Sequence, residues 1–112
     1  IYVDIDKDTL GMSAESLVSK ITNRTKVVVA QHSFGIPCKI DKIKEIAKSH
    51  SCYLVEDCAL TFGSKYKSII VGNYGDASIY IEFICVKNMV ICHCCCFNFF
   101  AICFWKNGVS VG

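Results

Sequence analysis

Lys26-Val-Val-Val-Ala30 and Cys52-Tyr-Leu-Val55 are two short apolar runs, and the 21 residues between them decide the fold. Gly35 and Pro37 break the chain after the first run. Ile40, Ile43, Ile46 and Ala47 then recur at helical spacing, with Lys42, Lys44, Glu45 and Lys48 on the wet side. Strand, crossover helix and strand within about thirty residues form a βαβ unit with a right-handed crossover. Apolar runs without alternation predict strands buried on both faces of a parallel sheet. In such sheets ligands bind outside the carboxyl ends of the strands, where His32, Glu56 and Asp57 fall.

Working outward, Ile1, Val3 and Ile5 alternate as in a short strand. Ser13 is placed to cap a helix over residues 14–22, with Glu15 in its first turn and Leu17, Val18 and Ile21 as its apolar stripe. Downstream, Gly63-Ser64, Gly72-Asn73 and Gly75-Asp76 supply turn chemistry around Ser68-Ile-Ile-Val71, which reads as a hairpin. Residues Ala77 to Phe83 read as a further strand, ending before Lys87.

The chain has 112 residues, 53% of them hydrophobic and 20% charged, enough for one domain with a core and too apolar for disorder. A net charge of +2 without a basic stripe argues against nucleic acid. The chain opens in strand-like text without a methionine or a secretory signal, so it reads as an internal fragment of a longer protein. Nine cysteines in irregular spacing do not make a disulfide framework, and the expected compartment is the reducing cytoplasm. Residues 89–105 carry no charge and five of the cysteines, falling just short of a bilayer span, which argues against a membrane. Residues 89–112 are therefore set apart from residues 1–88 as an atypical Cys- and aromatic-rich tail. Within it, Cys92-His-Cys-Cys-Cys96 lacks the two separated ligand pairs of a zinc site, and no metal is expected.

Asp57 ends a strand, and Lys87 follows another strand thirty residues on. An acid that keeps a pyridine nitrogen protonated and a lysine that forms a Schiff base are the two protein groups of a pyridoxal phosphate site. Each has a blander reading. An Asp after a strand caps the next turn, and most lysines are solvated. His32 reads as structural more readily than catalytic, Glu56 as a turn or surface residue, and His50 as a helix end.

The surrounding text resembles the DegT/StrS-type sugar aminotransferases. The resemblance rests on Tyr2-Val-Asp-Ile-Asp-Lys-Asp-Thr-Leu10, His32-Ser-Phe-Gly35, Val55-Glu-Asp-Cys-Ala59, Phe62-Gly-Ser-Lys-Tyr-Lys67 and Val71-Gly-Asn-Tyr-Gly-Asp-Ala77, in order, followed by Lys87-Asn88. It implies an α/β fold, part of an aspartate aminotransferase-like large domain with a mostly parallel sheet and flanking helices. It implies pyridoxal phosphate as cofactor, Asp57 as the pyridine-nitrogen partner and Lys87 as the catalytic Schiff-base lysine. The implied reaction moves an amino group, usually from glutamate, to a nucleotide-linked keto sugar in a homodimer. The chain departs from that family where Leu60 stands for a glutamine and Glu82 for a phosphate-binding serine. The Gly75 to Lys87 interval is one residue longer than the family's, and the glycine-rich loop after the lysine, the N-terminal phosphate loop and the small domain are missing. A frameshift near residues 81–89 accounts for the tail, the slip and the lost glycines together, and implies a chain inactive alone. The alternative is a non-catalytic remnant without cofactor, associating through its hydrophobic tail.

Overall fold

The computed structural model describes residues 1–80, with side chains, and the backbone strands 83–86 and 89–92. Helix α1 spans Ala14–Lys20, strand β1 Val27–Gln31, helix α2 Ile40–Ser49 and strand β2 Tyr53–Asp57. Strands β3 (Lys65–Tyr66), β4 (Ile69–Ile70), β5 (Ala77–Tyr80), β6 (Phe83–Val86) and β7 (Met89–Cys92) follow. The main sheet has the order β1-β2-β5-β6-β7. Strands β1, β2 and β5 are parallel, and β6 and β7 add antiparallel. The expected βαβ unit is β1-α2-β2, with Val27 opposite Tyr53 and Gln31 opposite Asp57.

One face of this sheet carries the core. Val28 and Ala30 of β1 and Leu54 of β2 pack with Ile40, Ile43 and Ala47 of α2 and Ala14 and Leu17 of α1. Ile40 and Ile43 are fully buried, and each such side chain contributes about 1.5–3 kcal/mol of transfer free energy. The expectation of strands buried on both faces does not hold here. β1 alternates, leaving Val27 49% and Val29 52% exposed beside Tyr53 at 68%, because no described residue covers that second face. The parallel-strand composition suits two covered faces, and the described residues cover one of them over β1.

Ser13 caps α1 as its type demands, its Oγ accepting from the Ser16 amide at 3.2 Å. The helix stops at Lys20, short of the expected residue 22, where Thr22 and Thr25 close a turn on one another. Val18 faces solvent, so the buried stripe is narrower than its apolar text. The expected strand at residues 1–5 reduces to one bridge, Ile5 to Met12. Asp6 overrides the alternation: its Oδ1 accepts from the Asp8 and Thr9 amides and reverses the chain. Lys39 then ties that turn to the start of α2, 2.7 Å from Asp6.

The β3-β4 hairpin pairs Lys65 with Ile70 and Tyr66 with Ile69. Its two central residues, Lys67 and Ser68, both have positive φ, as the tightest hairpin turns require. The strain is compatible with a docked hairpin, since Tyr66 Oη and Lys67 Nζ donate to Asp41 at 2.8 and 2.6 Å. The Lys67 ammonium holds the Asp41 carboxyl down at about 2, with the Tyr66 hydroxyl adding to it against some desolvation. A depressed folded-state pKa makes this contribution complete above the ordinary value of 3.8 and lost as pH falls through about 2. Asp41→Asn is expected to lower stability by at most about 1 kcal/mol at neutral pH. It should also flatten the loss between pH 4 and 2 in acid titrations followed by circular dichroism. Among the described residues, no helix is long and apolar enough to cross a membrane.

Candidate functional site

The carboxyl ends of β1 and β2 lie side by side, and two buried polar residues sit there. His32 and Glu56 are both fully buried. The Glu56 carboxylate accepts from His32 Nε2 at 3.1 Å, Gly72 N at 2.7 Å, Tyr74 N at 2.6 Å and Gly75 N at 2.5 Å. Burial pushes its pKa up, but the His32 bond and the backbone amides outweigh it and hold the carboxyl below its ordinary value. The Cys38 amide donates to His32 Nδ1 at 3.1 Å. An amide can only donate, so Nδ1 accepts and the ring proton sits on Nε2, directed at Glu56.

Glu56 therefore corrects the expectation of a turn or surface residue. It lies inside β2 on the same face as Leu54, and the turn from Gly72 to Gly75 folds its amides onto the carboxylate. The signal available in sequence was that alternation, Leu54 then Glu56, with a glycine-framed turn downstream. His32 has the structural role expected of it.

Asp57 is the last residue of β2 and points to the opposite, open side of the strand. It is half-buried, and its Oδ1 accepts from the Ala59 amide at 3.1 Å, which is the turn-capping role. Among the described residues no donor reaches its Oδ2. Phe34, Leu60 and Phe62, in the loops that follow β1 and β2, are exposed. The loops after β1 and β2 are joined by Gly35 N to Leu60 O at 3.0 Å and Ser64 Oγ to Gly35 O at 3.1 Å.

Lys87 and Glu82 lie outside the described residues, as does the tail beyond Cys92. The strand before Lys87 is described, and it runs antiparallel to β5. Val86 lies opposite Ala77 and hence at the level of Val55, while Asp57 lies level with Ile79. The backbone thus travels away from the Asp57 edge as it approaches residue 87.

His32, Glu56 and Cys58 bring one ligand atom each within 4.8 Å of one another. Hydrogen bonds already occupy the first two, and burial, reinforced by the Glu56 charge, pushes the Cys58 thiol up to about 12. A separate groove of about 700 Å³, lined by Val3, Met12, Leu17, Ile21, Val27 and Val29 among others, includes neither Asp57 nor His32.

A sequence profile of the DegT/DnrJ/EryC1/StrS aminotransferase family matches residues 1–94. The chain belongs to this family. It is 46% identical over 83 residues to a GDP-perosamine synthase of Escherichia coli O157:H7, covering 74% of the chain and 23% of that relative. An aminotransferase structure from Psychrobacter cryohalolentis superposes with a TM-score of 0.67 at 36% identity, covering 70% of the chain and 20% of that one. An E. coli GDP-4-keto-6-deoxy-D-mannose-3-dehydratase structure with bound hydrated pyridoxal phosphate gives 0.61 at 30%, covering 70% and 21%. The chain thus spans less than a quarter of the length of these relatives. The expected α/β architecture, part of an aspartate aminotransferase-like large domain, is borne out.

Proposed function

We propose that residues 1–88 are part of the cofactor-binding large domain of a pyridoxal phosphate-dependent aminotransferase acting on a nucleotide-linked keto sugar. The composition of residues 89–112 sets them apart as a tail, although Met89–Cys92 join the sheet as β7. Family membership and the relative named GDP-perosamine synthase support the reaction class and substrate. The observation that carries the site is Asp57: a half-buried carboxylate at a parallel strand's carboxyl end, on the open face, with Oδ2 free of donors among the described residues. That fits the pyridine-nitrogen end of the cofactor. Bound pyridoxal phosphate supplies an electron sink for the pair left when a substrate C–H bond breaks. Asp57 holds a proton on the ring nitrogen by charge and hydrogen bond. Lys87 would hold the cofactor through its amine and would carry the substrate proton. Glutamate is the amino donor, the complete enzyme is a homodimer, and this chain alone is inactive.

The direction of β6 favours a second reading, a non-catalytic remnant without cofactor, since that strand leads away from Asp57. Incubation with pyridoxal phosphate, borohydride reduction and mass analysis separate the two. The aminotransferase reading expects a pyridoxyl adduct that disappears in Lys87→Ala. It also expects cofactor retention to weaken about tenfold or more in Asp57→Ala, the scale of a charged hydrogen bond. A wild-type chain that acquires no adduct supports the remnant.

A further inference from the structure

The His32 side chain has no place in the chemistry above, yet it is fully buried, and residue 32 bonds two successive residues of β2. Its backbone amide donates to the Asp57 carbonyl at 3.0 Å. Its ring donates from Nε2 to the Glu56 carboxylate at 3.1 Å. The ring is itself fixed by the Cys38 amide on Nδ1 at 3.1 Å. Glu56 and Asp57 are successive residues pointing to opposite faces, so the orientation of one side chain fixes the backbone that aims the other. On the far side, the Cys58 amide donates to the Ile79 carbonyl at 2.8 Å. The peptide carrying Asp57 is therefore held from β1, from β5 and through the core carboxylate.

We propose that His32 is a positioning residue for Asp57, acting through its Nε2 bond to Glu56 rather than through its Nδ1 bond to Cys38. The consequence for a cofactor rests on the reading of Asp57 given above; the positioning itself does not. Two substitutions divide the ring's two bonds. His32→Asn places an amide oxygen near the Nδ1 position, where it accepts from Cys38, and cannot reach Glu56. His32→Gln extends an amide donor toward the Nε2 position and keeps Glu56.

The direct readout is hydrogen exchange at the Ala59 amide, whose bond to Asp57 Oδ1 reports the carboxylate's direction. In His32→Asn, Ala59 exchange is expected to rise about tenfold relative to the Ile43 and Ala47 amides of α2, the scale set by one charge-assisted bond. In His32→Gln it stays within about twofold of wild type, a conservative rescue on the same scale. Three results overturn the proposal: Ala59 protected as in wild type in both variants, Ala59 rising only in step with Ile43 and Ala47, or both variants rising alike. Should His32→Asn fail to fold, Glu56→Gln reads the same link from the other side, and wild-type Ala59 protection there overturns it.

The second readout is the ratio of the absorbance bands of pyridoxal phosphate added to each full chain at fixed pH. It should move in His32→Asn and return in His32→Gln. If the wild-type chain takes no cofactor, the cofactor reading of Asp57 fails, and Ala59 exchange still decides the role of His32. If the cofactor binds and the bands ignore His32, the positioning claim fails alone.

Discussion

Glu56→Ala is expected to leave the chain largely unfolded at room temperature. The substitution removes an acceptor that serves four donors at once, three of them backbone amides of the turn leading into β5. Each buried donor left without a partner costs about 1–3 kcal/mol. Even with water entering the vacated space, a loss of roughly 5 kcal/mol follows from that scale. At roughly 0.05–0.15 kcal/mol per residue, residues 1–80 have a total stability of only about 4–12 kcal/mol. Urea denaturation followed by circular dichroism checks this, with Glu56→Gln as the milder partner at about 2 kcal/mol, because its remaining oxygen still accepts. A Glu56→Ala chain with near-wild-type stability would mean that the turn does not depend on the carboxylate.

The same group gives a pH dependence with a definite sign. Glu56 has a folded-state pKa below its ordinary 4.5, because the His32 bond and the backbone amides together outweigh its desolvation. Its contribution is therefore complete above 4.5 and lost as pH falls through the lower folded value. Asp6, held at about 2 by Lys39, and Asp41, held at about 2 by Lys67, add losses in the same direction below 3.8. Glu56→Gln should remove the part of the acid slope that begins first.

Local patterns carried the framework into the sequence, and non-local pairing did not. Helix α2 was legible from Ile40, Ile43, Ile46 and Ala47 because helical spacing is set by neighbours three and four apart. β1 and β2 were legible as apolar runs, and Asp57 fell at the strand end as expected, since strand polarity and the βαβ rule place it there. The role of Glu56 was not legible, because it depends on amides 16 to 19 residues away meeting one carboxylate. Residues 1–5 misled because alternation shows that a strand can form, and not that a partner strand exists. The run from Ala77 to Phe83 was read as one strand, yet Tyr80 pairs with Phe83 across a reversal that no glycine or proline announces. Nothing in local text fixes the direction of β6, and that direction bears most on whether Lys87 can meet Asp57.

Gly75→Ala should be nearly as damaging as the loss of Glu56, for a steric reason that can be separated from backbone freedom. A Cβ at residue 75 would lie 2.7 Å from the Leu54 carbonyl oxygen and 2.9 Å from that of Ala77. Both are backbone atoms of the sheet, and Leu54 is fixed by Asp76, whose amide donates to Leu54 O at 2.7 Å and whose Oδ2 accepts from Leu54 N at 2.9 Å. No rotamer change relieves such a contact, so the turn must move, and the Gly75 amide leaves Glu56 as it does. Overpacking against rigid neighbours costs about 1–3 kcal/mol before that bond is counted, and the upper end is expected here. Gly63→Ala is the control. Gly63 has φ +79° with nothing within 4 Å of an added Cβ, so only the left-handed backbone penalty of about 1–2 kcal/mol applies. Gly75 is not among the positive-φ glycines, so a cost there no larger than at Gly63 would show that the neighbouring carbonyls yield to the added Cβ. A larger cost at Gly75, with Ala59 exchange rising beyond the global change, would tie the turn after β4 to Asp57 through Glu56. The acid at the strand end would then depend on a close backbone approach eighteen residues downstream.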